Sequence, residues 1–388
     1  MKRKRISKTI DNISLKYIEE AADYKGETTK YSSKVLLRWF SVAACFVLII
    51  AVILSSNVIA NKKLPMLELG IDNTGGMSFE GYFLKEVDDF LCDNPWNNQL
   101  FLSKLPVYSN IAYDEKGTPC ALIEKRLEEW IRIAADKSDT TVTNITKSYA
   151  NDLYGGYEED FVYAITAETA DGEIVANAAG GLTIIFNDPI SLPFDFDNGN
   201  RAQGEKATEY FSNKFSALIS EFIDFEKPAF AISYDYNAYK KIVGKYIAYD
   251  SADNRIRDIL NYNLQYVNFQ LDESGNLLWI NICNSFCGVE KMGDYPIVSV
   301  NKAKSELEKG NYISSYLDGF PGKEYIADVE LVYTHGKRET VAPYYRFIVE
   351  LPETPSLNEE IKNYGSFYVP AIREEYISEI ILYDGILQ

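Results

Sequence analysis

The sequence predicts an α+β chain: a single transmembrane helix followed by two or three units, each a helix and then an antiparallel meander. Three observations predict it. Residues 39–60, WFSVAACFVLIIAVILSSNVIA, carry no charge. Beyond them, helix-spaced apolar residues precede runs of β-branched and aromatic residues three times. The 388 residues hold only five cysteines, so packed cores rather than a disulfide framework must hold the later units.

The apolar run is long enough to span. A helix rises about 1.5 Å per residue, so roughly 20 apolar residues cross a ~30 Å hydrocarbon core. The 38 residues before it are more than an ordinary secretory signal carries, which favours a retained anchor. Val58-Ile59-Ala60 resembles a cleavage site, so removal after Ala60 stands as the alternative. Residues 1–38 hold ten Lys/Arg and five acids, and only Lys62 and Lys63 follow the run directly. Positive flanks stay inside, which places the N-terminus in the cytoplasm and residues 61–388 outside the cell membrane.

Before the run, Ile6, Ile10, Ile13, Tyr17 and Ala21 recur at helical spacing and mark a short amphipathic helix. So short a helix is marginal alone in water, and these five residues are the candidate surface for a cytoplasmic partner. KGETTKYSSK, 25–34, and residues 61–80, with Asn73-Thr74-Gly75-Gly76, read as linkers.

The first outer unit opens with a helix over 118–137, TPCALIEKRLEEWIRIAADK, and continues with TVTNITKSY, FVYAITAET and EIVANAAGGLTIIF. Asp171-Gly172 signals a hairpin. The second opens at Gly204 with a helix and continues with PAFAISYDY, KIVGKYIAY, LQYVNFQLD and NLLWINICN, the last pair turning at Ser274-Gly275-Asn276. The third opens with VNKAKSELEK, 300–309, ended by Gly310, and continues with YIADVELVYT, APYYRFIVEL and GSFYVPAI. One helix can cover one face of such a sheet. The boundaries are therefore 1–38 for the tail, 39–60 for the membrane helix, 61–93 for a linker, and 94–200, 201–295 and 296–388 for the units.

Composition narrows the function. The net charge is −18, and the basic tail leaves −23 for the residues beyond the membrane run. That excludes nucleic acid as a partner, which needs a basic footprint. The 29 tyrosines suit half-buried strands and also carbohydrate or peptide surfaces. Cys45 lies in the apolar run, and Cys92, Cys120, Cys283 and Cys287 lie beyond it without the paired spacing of a zinc site. Cys283 and Cys287 allow two readings, a local disulfide across a turn or two buried free thiols. His335 is the only histidine and sits in a turn-like THGKRE, so no Ser-His-Asp or Cys-His arrangement is available. No nucleophile elbow, phosphate loop or H-E-x-x-H occurs. Asp195-Phe196-Asp197-Asn198-Gly199-Asn200 echoes a calcium loop but lacks its sixth-position glycine and twelfth-position glutamate. Strand alternation puts Tyr345 and Phe347 on one face and Tyr344 on the other, one face toward a core and one toward the surface. No catalytic residue, metal or cofactor is expected, and the chain does not read as an enzyme.

The start, ISKTIDNISLKYIEEAADYK followed by RWFSVAACFVLII, resembles uncharacterised single-pass membrane proteins of Gram-positive bacteria with an anti-sigma-factor-like N-terminus. The resemblance continues through NPWNNQLFLSKLPVYSN, EKATEYFSNKFSALI, GNLLWINI, APYYRFIVELP and YGSFYVPAI. The run from YPIVSVNKAKSELEKG to YVPAI is similar to YycI-like regulators of two-component systems, which implies PepSY/cystatin-like units. Residues 1–38 hold no His and no Cys, unlike zinc-containing anti-sigma factors. The resemblance implies a membrane-anchored regulatory or sensory protein with an exported ligand- or protein-binding domain. Expected partners are the lipid bilayer, a sigma factor or kinase inside, and an envelope protein or glycan outside. The alternatives are a tethered module that binds envelope glycan or peptide, or a hydrolase.

Overall fold

Helix ends and hairpin turns in this chain are set by short polar signals. In the computed structural model, which describes residues 64–70, 80–91, 93–110, 120–153, 160–333 and 340–381, these signals lie where the backbone changes course. The chain enters through β1 (Leu67–Gly70), β2 (Gly81–Leu84), α1 (Val87–Leu91) and β3 (Lys104–Asn110). Next come α2 (Cys120–Lys137), β4 (Val142–Tyr149), α3 (Ala150–Leu153), β5 (Val162–Thr169), β6 (Gly172–Asn177) and β7 (Gly181–Ile190). A third stretch holds α4 (Arg201–Lys214), α5 (Ser216–Ile219), β8 (Pro228–Tyr236), β9 (Ile242–Asp250), α6 (Arg255–Leu264), β10 (Gln265–Leu271) and β11 (Leu277–Asn284). The last comprises β12 (Val289–Pro296), α7 (Val300–Glu308), β13 (Ile326–Tyr333), β14 (Thr340–Val341), β15 (Pro343–Glu350), β16 (Lys362–Pro370) and β17 (Ile377–Ile381).

Three helices start on side-chain caps that take up orphan backbone donors. Asn200 accepts from the Gln203 N–H, Asn254 from Ile256 and Arg257, and Ser299 from Lys302. The calcium-like loop at 195–200 is thus a helix entry: Asn200 caps α4, and Asn198 accepts from the Tyr246 hydroxyl at 3.0 Å. The β10–β11 turn is closed by Asp272, which accepts from the Ser274 and Asn276 N–H groups, with Gly275 at φ +81°.

The strands assemble differently from the expected set of helix-plus-meander units. Twelve of them form one sheet, in the order β13-β15-β16-β2-β8-β9-β10-β11-β7-β6-β5-β4. Its neighbours pair antiparallel. The short β2 joins β16 to β8, so strands from all three expected units share one hydrogen-bonded ladder. The physical reason is the strand edge: a separate meander would expose two rows of unpaired backbone groups, and joining meanders satisfies them. Two small sheets complete the fold, β12-β3-β14 and the parallel pair β1-β17. The described residues all fall in one unit, Leu64–Gln388.

The membrane architecture and the cell-membrane localisation expected from the sequence are also corrected. Among the described residues no helix is long and apolar enough to cross a membrane. The run at 39–60, on which both expectations rested, lies outside those residues, as do the amphipathic positions Ile6, Ile10, Ile13, Tyr17 and Ala21.

Two cores hold the unit. In the first, Leu127 of α2 and Phe211 of α4 pack on Ile165, Ile184, Phe269 and Ile280 from one face of the large sheet. In the second, Leu105, Tyr295, Leu307, Leu331, Phe347 and Phe367 bring β3, β12 and α7 against β13, β15 and β16. Strand β9 faces both ways: Tyr246 and Ala248 enter the first core, while Ile247 and Tyr249 turn toward Tyr262 of α6. Alternating side chains make this two-sided use possible.

Candidate functional site

An open cleft of about 1090 Å³ lies at the end of the second core. One wall is the loop that leads into β3. Asn97 organises it, accepting the Gln99 N–H on its side chain at 3.1 Å and the Leu100 N–H on its carbonyl at 3.0 Å. Trp96 anchors this wall: it is buried, and its ring meets Tyr345 of β15 at 5.8 Å. Five residues on, Phe101 lines the cleft with 95% of its surface exposed.

The opposite wall begins at Ile297, which bridges Ile372. The Val298 N–H donates to the Ala371 carbonyl at 2.8 Å, and the Tyr345 hydroxyl donates to the Val298 carbonyl at 2.8 Å. Burial pushes that hydroxyl up to about 12, so it stays a protonated donor. Helix α7 follows. Its Glu306 accepts from Lys302 at 2.5 Å, from Asn311 at 2.7 Å and from Lys309 at 2.9 Å. These donors hold the Glu306 carboxyl down at about 2, led by Lys302.

Ile377, Ser378, Glu379 and Ile380 of β17 complete the lining. Four consecutive residues cannot all point one way from a strand. The cleft therefore borders the strand's edge, where backbone groups are presented as well as side chains. Among the described residues β17 pairs only with β1, so its other edge has no strand partner among them.

Behind the cleft lies a buried ionic cluster. Arg346 of β15 pairs with Glu330 of β13 and reaches Glu80 at 3.5 Å. Asn94 donates to Glu330 at 2.7 Å, and the Tyr368 hydroxyl donates to both Glu80 oxygens at 2.7 and 2.8 Å. Burial opposes the Arg346 charge, yet Glu330, Tyr82, Tyr368 and Glu80 hold its pKa well above the usual value. The cluster ties residues 80–96 to the C-terminal strands and so fixes where the Trp96 loop begins.

The sequence-predicted positions fall elsewhere. Cys283 lies in β11 and Cys287 in the short turn after it, and both are half-buried free thiols in the structure. Burial pushes both thiols up, and Cys283 sits 3.4 Å from the Ser285 hydroxyl. Cys120 opens α2, while Cys92 and His335 lie outside the described residues. Tyr344 is not on a surface face: it is 1% exposed, with its hydroxyl donating to the Gly70 carbonyl, and Tyr345 and Phe347 are buried as well. Among the described residues no group of three or more His, Cys, Asp or Glu could hold a metal. Phe101 and the β17 edge were missed by sequence reasoning. The available signal was the apolar triplet Leu100-Phe101-Leu102 directly after an Asn-rich turn.

No family model matches the chain, and no curated protein matches it. Among solved structures it is similar to an uncharacterized protein from Eubacterium rectale ATCC 33656, at 12% identity and a TM-score of 0.26, over 70% of this chain and 84% of that one. So distant a likeness carries no argument about fold or function.

Proposed function

We propose that the unit described here is a regulatory domain that binds a ligand or a protein segment in the cleft beside β17, and that it is not an enzyme. One observation carries the reading: Phe101 stands almost wholly in water at a cleft bordered by a strand edge with no strand partner among the described residues. Full burial of a Phe side chain is worth about 1.5–3 kcal/mol, which a partner covering Phe101 would recover. An open edge offers main-chain hydrogen bonds to an extended segment, the mode of strand addition. The regulatory part rests on the sequence resemblance to exported regulators. For regulation, the occupant must favour one of two states of the domain.

The test is affinity capture with the full chain, with Phe101→Asp, and with Tyr239→Asp as a control. Tyr239 is 84% exposed and does not line the cleft. The expected result is a partner that the wild type and Tyr239→Asp retain and Phe101→Asp loses. Retention by all three chains would remove the cleft as the seat.

A further inference from the structure

The large sheet carries a second surface that the cleft does not use. Between β5 and β10, one face of the sheet packs into the first core, with Ile165, Ile184, Ile280 and Phe269 pointing inward. On the other face, the register sets Thr166 beside Val175, Val175 beside Thr183, Thr183 beside Asn281, and Asn281 beside Asn268. This row crosses five strands without a charge, and all five side chains are half-exposed. In the next row Ile185 neighbours Trp279, and Trp279 neighbours Gln270; Ile185 is 38% exposed and the other two are half-exposed. Charge returns at both ends of that row, at Glu168 and Glu173 by the hairpin and at the exposed Lys245 of β9 beyond Gln270.

Such a face is unusual in a chain with a net charge of −18 and one quarter charged residues. Solvent-facing strand positions here would ordinarily carry Glu or Lys. Three amides, two hydroxyls, two aliphatic side chains and an indole occupy them instead. The Asn281 amide already donates to the Thr183 hydroxyl at 2.8 Å, which fixes both side chains.

We propose that this face binds an extended, neutral oligosaccharide. The eight side chains between those charges are neutral, which favours an uncharged ligand. Amide and hydroxyl groups match a ligand that both donates and accepts at every ring, and the Trp279 indole suits the apolar C–H face of a sugar, as aromatic rings suit surfaces that are apolar and wet at once. Five strands spaced about 4.8 Å apart span roughly 19 Å, the length of a tetrasaccharide. A second copy of the chain fits less well. The two rows cover on the order of 250 Å², against about 800 Å² per partner in a stable interface. A peptide would find no backbone ladder, because the face presents side chains alone.

The proposal is independent of the cleft and is tested on the full chain with named probes. Chitotetraose and cellotetraose are titrated separately by calorimetry and by tryptophan fluorescence. At least one should saturate, with affinity indifferent to added salt. Trp279→Ala should weaken it by about tenfold or more, and Gln270→Leu should weaken it less. An unchanged thermal midpoint for both variants shows that the fold is intact. The idea fails if neither sugar binds at millimolar concentration, or if Trp279→Ala binds as well as the wild type. It fails equally if sedimentation shows a wild-type dimer that Trp279→Ala dissociates, since the face would then join two copies.

Discussion

Strands β6 and β15 lie in the same sheet but are buried in different ways. Strand β6 alternates, with Gly172, Ile174 and Ala176 buried and Glu173, Val175 and Asn177 turned outward. Strand β15 is buried on both faces, broken only by the half-buried Arg346 and Glu350. The alternating end keeps a face free for water or a ligand. The doubly covered end has no such face, so every polar group it holds must find a partner inside the protein. The ionic cluster around Arg346 is the outcome of that demand, and the sharpest way to break the comparison is to remove it.

Arg346→Met leaves Glu330, which is 4% exposed, without its cation. Removing one partner of a buried ion pair costs about 3–5 kcal/mol, the largest effect expected here. Adding Glu330→Gln should return much of the loss, because removing both charges is often close to neutral. Urea unfolding of the two variants measures this. On the alternating end, Thr183→Val loses one half-exposed hydrogen bond and should stay within about 1 kcal/mol of wild type. Equal costs at the two positions would erase the distinction between the ends.

A smaller effect tests the alternating end directly. Gly172 starts β6 at φ +151°, and a Cβ there would lie 1.8 Å from the Ile185 carbonyl oxygen. Gly172→Ala must shift the hairpin or hold a strained backbone, at about 1–3 kcal/mol. The measurement is the thermal midpoint together with amide exchange of β6 and β7. Loss confined to those strands fits a locally strained hairpin; no loss would mean the close approach does not persist in solution.

The sequence made the local elements legible and the long-range pairings illegible. Apolar spacing places a helix over 118–137, and α2 runs Cys120–Lys137; Asp171-Gly172 marks the β5–β6 turn. Helix α6 was missed, although Asn254 as a cap and Ile256, Ile259, Leu260 and Leu264 at helical spacing were there to be read. What local pattern cannot carry is β2. Its four residues, GYFL, pair with β16 and touch β8 at Tyr236, and nothing in four residues names partners so far away. That one strand turns separate meanders into a single sheet, so the fold class was misread at its junction. The cleft was illegible for a related reason: its lining comes from three distant loops and strand ends, and only Phe101 in its apolar triplet left a trace. The uncharged face was legible in part, as strand residues with polar alternation, but its continuity appears only when the registers of five strands are known.

A further effect, smaller than the loss of the Arg346 pair, separates the two candidate surfaces by pH. Glu306 stands in the cleft wall with its carboxyl held at about 2 by Lys302, Asn311 and Lys309. In the unfolded chain a glutamate titrates near 4.3. The folded value is the lower one, so the carboxylate's contribution is complete above the unfolded value and is lost as pH falls toward the folded one. The stability difference between wild type and Glu306→Gln should therefore be constant from neutrality to about pH 5, then shrink down to about pH 2. Its plateau should be on the order of 1–2 kcal/mol, because the lysines are half-exposed and solvent screens them. Sugar binding at the uncharged face should ignore this substitution, whereas occupancy of the cleft should respond to it. A stability difference that is flat across the acid range would mean that the three donors do not converge on Glu306 in solution, and that the α7 wall of the cleft is not held by charge.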